Sequence, residues 1–144
     1  MSSQFDELAI GANVAQVRHA SAWLVTACGQ RNVPQVLTER LELCLNEVLA
    51  NVINHGGLMA LSVPIKLLLE VALDQDAGTA GVTVSDAGMA FNPLSVPEQP
   101  MPKTLHEASP GGLGLVTIRH CCDWLRYCHE DGRNHLTFGT RWSL

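Results

Sequence analysis

The sequence predicts an α+β fold, a two-layer sandwich in which helices pack on a mostly antiparallel sheet. Two amphipathic helical segments come early, and the strand signals follow in pairs joined by turns, with one short helix between the pairs. Helices segregated from an antiparallel sheet bury their apolar faces in two layers. At 144 residues and 47% apolar composition, the chain suits a single domain, 1–144, with one core.

In chain order, Phe5 to Ile10 forms a short opening strand. Asn13 is the N-cap of a helix that carries Val14, Val17, Trp23, Leu24 and Ala27 at core spacing and stops at Gly29. His19 on this helix follows Arg18 without the surroundings of a phospho-accepting histidine, and reads as a surface or boundary residue. A second helix begins near Pro34 or Thr38, repeats Leu37, Leu41, Cys44, Leu45, Val48 and Val52 at helical spacing, and ends at Gly56 and Gly57. Ile65, Leu67, Leu69, Val71 and Leu73 alternate as a strand, the segment DQDAGTAG reads as a turn, and Val82 to Asp86 alternates again, giving a hairpin. Pro93 to Pro110 has little periodicity and contains Pro97, Pro100 and Pro102, as in a functional lid or a disordered loop. Gly111 to Gly114 leads into a short helix through Ile118, and strands near Asp123 to His129 and Asn134 to Trp142 flank an Asp131-Gly132 turn.

Composition excludes several classes. A formal net charge of −5 with 9 Lys plus Arg leaves no general footprint for a nucleic acid backbone, so control of transcription would run through proteins. The N-terminus lacks the apolar run of a secretory signal, and no stretch reaches the roughly 18 apolar residues of a membrane span, so a cytoplasmic protein with no membrane contact is expected. The five cysteines contain no CxxC pair, which fits a reduced compartment; Cys128 and His129 lack a second pair at zinc spacing.

Three constellations carry chemistry. Glu47, Asn51 and His55 recur every four residues and share one stripe of the second helix, either solvated or directed into a pocket. Asp86 has the parity of Val82 and Val84, so it points to the core face, where it either caps a turn or accepts from an amino group of a bound base. Gly88 permits a tight turn or a close approach. Gly111-Gly112-Leu113-Gly114-Leu115 opens a helix, as a hinge or as a set of bare backbone N–H groups suited to phosphate. It lacks the Gly-Lys-Ser/Thr of a Walker A loop and the strand crossover of a dinucleotide-binding unit.

In this order the three motifs resemble those of the GHKL ATPases, in particular the anti-sigma-factor serine kinases, from about Ala9 to the C-terminus. The resemblance implies a Bergerat-type ATP-binding fold, the cofactors ATP and Mg²⁺, and a homodimer. It implies that Asn51 holds the Mg²⁺, that Glu47 is the catalytic base toward a serine hydroxyl, and that Asp86 accepts from the adenine amino group with Gly88 beside the ring. Gly112, Leu113 and Gly114 would close on the phosphates beneath a lid from Leu94 to Pro110. The expected partners are a small STAS-like anti-sigma-factor antagonist, which receives phosphate on serine, and a sigma factor or other regulator, which is held. Asn92 stands where many relatives have aspartate, and the family's adenine-side threonine has Thr137, Thr140 or His135 as candidates. The alternative function is an interaction module that binds ATP without transferring phosphate; the catalytic half of a histidine kinase is disfavoured by the absence of an acceptor domain.

Overall fold

The computed structural model describes residues 2–92 and 112–144, without the side chains of 112–116. Strand β1 (Ser2–Ile10) is followed by helices α1 (Val14–Gln30), α2 (Gln35–His55) and α3 (Leu58–Ser62). The hairpin of β2 (Ile65–Leu73) and β3 (Ala77–Asp86) comes next, then α4 (Gly112–Cys121) and the hairpin of β4 (Trp124–Glu130) and β5 (Arg133–Ser143). The strands make one five-stranded sheet in the order β1-β2-β3-β5-β4, with each neighbouring pair antiparallel. This is the α+β, two-layer architecture that the sequence predicts.

Alternation along the strands decides which face meets the helices. Leu67, Leu69 and Val71 of β2 and Ala80, Val82 and Val84 of β3 are buried, and Phe138 of β5 lies opposite Val82. They pack with Leu24 of α1, Leu41, Leu45 and Leu49 of α2, and Ile118 of α4 in one apolar cluster. Each such large side chain contributes about 1.5–3 kcal/mol on burial. The segregation is strict enough that a one-residue slip of β3 would turn Asp86 away from the helices.

Several boundaries differ from those expected. The Asn13 cap is present, its side-chain oxygen accepting from the Gln16 N–H at 3.0 Å, but α1 runs past Gly29 to Gln30. An exposed glycine costs a helix only about 1 kcal/mol, and the chain turns instead at Asn32, with φ 61. There the Val33 N–H returns to the Cys28 carbonyl at 3.0 Å. Strand β1 begins at Ser2, earlier than Phe5, because β2 offers partners as far as Leu73. The turn expected over DQDAGTAG contracts to its first residues, since Asp74 Oδ1 accepts from the N–H groups of Asp76 and Ala77, both at 2.8 Å. Gly78 then lies inside β3, where a Cβ would stand 2.3 Å from the Trp142 ring. Helix α3 has no counterpart in the sequence reading.

Candidate functional site

Helix α2 forms the wall of the candidate site. Its apolar stripe, Cys44, Leu45, Val48, Leu49 and Val52, is buried in the core. The polar stripe beside it carries Glu47 and Asn51, both half-buried at the border of that core, whereas His55 is exposed at the helix end. The two alternatives for this stripe therefore divide along its length. The first two residues are partly withdrawn from water and the third is solvated.

Asp86 ends β3 on the helix-facing side and is buried. Its Oδ1 accepts from the Gly88 N–H at 2.8 Å and from Asn134 Nδ2 at 3.2 Å. A turn cap is thus present, formed by one carboxylate oxygen. Asn134 is opposite Asp86 in the β3–β5 register and is itself buried. Its amide also donates to the carbonyls of Gly88, at 3.3 Å, and Met89, at 2.9 Å. The Asn134 oxygen accepts in turn from the Tyr127 hydroxyl and from the Phe91 N–H. One buried amide therefore ties the whole Asp86 to Phe91 turn to the last strand.

The same turn docks on the end of α2. The Met89 N–H donates to the Gly56 carbonyl at 3.2 Å. A Cβ on Gly88 would stand 2.9 Å from that oxygen and 3.0 Å from the Gly56 Cα, so the missing side chain at Gly88 allows the backbones to meet. Gly57, with φ 83, then redirects the chain into α3. Sequence reasoning gives Gly88 a close approach but does not identify Gly56 as its partner.

Helix α4 also rests on α2. The buried Ile118 offers its carbonyl to two thiols, those of Cys44 on α2 and of Cys122, the residue after α4. Gly112, Leu113 and Gly114 form the first turn of α4, where backbone N–H groups have no partner within a helix. The lid expected over Leu94 to Pro110, with Lys103 in it, and Gly111 lie outside the described residues, as does the Leu113 side chain. The Asp86 turn, and the helix that the glycine motif opens, are thereby both packed on the helix that bears Glu47 and Asn51.

The structure also places the candidates for the adenine-side threonine. Thr137 pairs its hydroxyl with that of Thr83 at 2.8 Å, and His135 Nδ1 lies 2.7 Å from the Ser85 hydroxyl, both on the sheet face turned away from the helices. Thr140 faces the helices but is opposite Ala80, six residues along β5 from Asn134. The polar residue beside Asp86 is Asn134, which the sequence reading missed. Only its place opposite Asp86 in the β3–β5 register singles it out.

Residues 10–140 match the family described as the histidine kinase-like ATPase domain. The serine/threonine-protein kinase BtrW of Bordetella bronchiseptica is 31% identical over 137 residues, covering 95% of this chain and 94% of the relative. Among solved structures, the RsbU and RsbW domains of a Mycobacterium tuberculosis protein align with a TM-score of 0.66 at 18% identity, over 98% of this chain. The chain spans 33% of that longer relative. The SiaB–SiaC complex from Pseudomonas aeruginosa aligns with a TM-score of 0.55 at 12% identity, over 95% of this chain and 89% of the matched chain. The last two likenesses concern the fold.

Proposed function

Because the chain belongs to the histidine kinase-like ATPase domain family, we propose that it is an ATP-dependent serine-protein kinase of the partner-switching kind. It phosphorylates a serine of a small STAS-like anti-sigma-factor antagonist, and as a homodimer in the cytoplasm it holds a sigma factor or another regulator. The observation that carries this reading is the docking of the Asp86 turn on the end of α2, which joins a buried carboxylate to the helix bearing Glu47 and Asn51. The identity with a serine/threonine-protein kinase over nearly the full length of both chains supports it.

In this reading each residue has a chemical task. Gly88 N–H and Asn134 hold Asp86 Oδ1, which leaves Oδ2 to accept from the adenine amino group. Asn51 contributes an amide oxygen, the hard donor that Mg²⁺ takes, and among the described residues no three of His, Cys, Asp and Glu form a competing metal cluster. Mg²⁺ held there would supply the charge neutralisation that phosphoryl transfer needs. The N–H groups of Gly112, Leu113 and Gly114 face the phosphates from the start of α4. Glu47, one turn before Asn51, accepts the proton of the attacking serine.

The test is Glu47→Gln, which keeps size and polarity and removes the base. Phosphorylation of the antagonist should fall by about 10²–10⁴-fold, while ATP binding and capture of the partner in a pull-down persist. A variant that phosphorylates at the parental rate refutes the role of Glu47. A parent that binds ATP and its partner but never transfers phosphate makes the protein a holder without kinase activity.

A further inference from the structure

The kinase reading leaves one pair of side chains without a task. Cys44 on α2 is fully buried, and Cys122, just beyond α4, is half-buried. Cys122 donates to the Ile118 carbonyl at 3.0 Å and Cys44 to the same oxygen at 3.9 Å, so one acceptor gathers both thiols. They come from elements 74 residues apart at the shared carbonyl, so tertiary packing brings them together and local sequence does not. Two sulfurs gathered at one carbonyl oxygen are placed to approach each other and close an S–S bond of ~2.05 Å.

We propose that Cys44 and Cys122 form a site of reversible oxidation, at which a hydroperoxide converts the thiol pair into a disulfide that fastens α2 to the end of α4. The two thiols are suited to different steps. The neighbouring Cys44 thiol is the main influence that holds the Cys122 thiol below its ordinary range. The Cys122 thiol beside it, then burial, pushes Cys44 up, so Cys44 keeps its proton. Cys122, half-buried and so open to a peroxide, is the attacking sulfur, and the fully buried Cys44 is the resolving one.

In the first step the Cys122 thiolate attacks the peroxide O–O bond. A sulfenic acid forms on Cys122, and the leaving oxygen takes up the thiol's proton to become an alcohol, or water from hydrogen peroxide. In the second step the Cys44 sulfur attacks the Cys122 sulfur, the S–S bond forms, and the sulfenic hydroxyl leaves with the Cys44 proton as water. Two thiols and one hydroperoxide give one disulfide, one alcohol and one water, with two electrons passing from sulfur to the peroxide. A dithiol reductant reverses the outcome.

The bond ties together parts that the proposed kinase uses. Cys44 lies three residues before Glu47 on α2, and α4 opens with Gly112, Leu113 and Gly114. A covalent tie restrains α4 against α2, and Mg-ATP affinity is expected to fall about tenfold, an ordinary coupling between neighbouring sites. This consequence rests on the proposed function; the formation of the disulfide does not.

The experiment treats the full chain with hydrogen peroxide, blocks the remaining thiols with a maleimide, and maps linked peptides by mass spectrometry. The expected product is a Cys44–Cys122 link that dithiothreitol reverses and that still forms in Cys121→Ala. Cys44→Ala should instead carry Cys122 to the sulfinic state, and Cys122→Ser should form no link. A Cys121–Cys122 or Cys44–Cys121 link in the parent, or oxidation confined to the exposed Cys128, overturns the proposal. Calorimetry on the linked and reduced parent then reads the affinity change. Equal affinities, with the link mapped, overturn the regulatory consequence and leave the modification site standing.

Discussion

Gly88→Ala tests the contact on which the site depends. The added methyl would stand 2.8 Å from Asp86 Oδ1, 2.9 Å from the Gly56 carbonyl oxygen and 3.0 Å from the Gly56 Cα. Gly88 lies outside the left-handed region of φ, so contact decides the outcome and backbone strain does not. Ordinary separation is about 3.5 Å, so the turn must retreat from α2 by about half an ångström. Two of the three obstructing atoms are backbone, and no side chain can swing aside to make this room. Overpacking of this kind costs about 1–3 kcal/mol. Retreat also breaks the Met89 to Gly56 hydrogen bond, which adds about 1 kcal/mol. A total near 3 kcal/mol lowers the melting temperature of a chain of this length by about 6–12 °C. Displacing a carboxylate that accepts from the nucleotide should weaken ATP by about tenfold or more, since bonds to charged groups contribute about 1.5–3 kcal/mol. Thermal unfolding and ATP titration of parent and variant give both numbers. A variant that melts with the parent refutes the close approach; one that melts lower yet binds ATP as the parent does refutes the link between this contact and the nucleotide.

Asp86→Asn keeps an oxygen for the Gly88 N–H and Asn134 but puts an amino group at the other position, so folding should survive while the preference for ATP over GTP falls about tenfold or more in competition titrations. Unchanged selectivity reduces Asp86 to a turn cap. Asn51→Ala should lose most of its Mg-ATP affinity and little of its metal-free nucleotide affinity, compared by calorimetry with and without Mg²⁺. Asp74 is held below its ordinary value of 3.8 by the backbone N–H of Asp76 and then that of Ala77, so its contribution to stability is present above 3.8 and is lost as pH falls through the lower folded value. The difference in urea midpoint between the parent and Asp74→Ala should accordingly be present at neutral pH and shrink below the carboxylate range; a difference that stays constant with pH contradicts the role of the charge.

The parts of the fold that were legible in the sequence are those governed by periodicity. Leu67, Leu69 and Val71 alternate, Leu41, Cys44, Leu45 and Val48 return every three or four residues, and both patterns report which face is buried. Parity alone also places Asp86 on the face of Val82 and Val84. Positions that depend on a distant partner were not legible. Gly78 and Gly81 look like turn residues until Trp142 and Trp124 are seen beside them. Asn134 is one polar residue among several on its strand, and only the β3–β5 register selects it. The stop of α1 was misplaced because Asn32 adopts the positive φ there, and local sequence favours a glycine for that role. Helix α3 is too short to show a period.

The strand order β1-β2-β3-β5-β4 has a consequence for synthesis of the chain. Each hairpin closes from nearby residues, but β5, made after β4, lies between β3 and β4. A nascent chain that has completed Asp86 still lacks the strand that holds it, because Asn134 emerges 48 residues later. Folding of the sheet must wait for that long-range pairing, which is the slow kind. Until β5 has left the ribosome, β3 is an open edge, and the carboxylate turn is held only by its own glycine and by α2. A truncation within β5 therefore removes part of the sheet's interior, not a fringe.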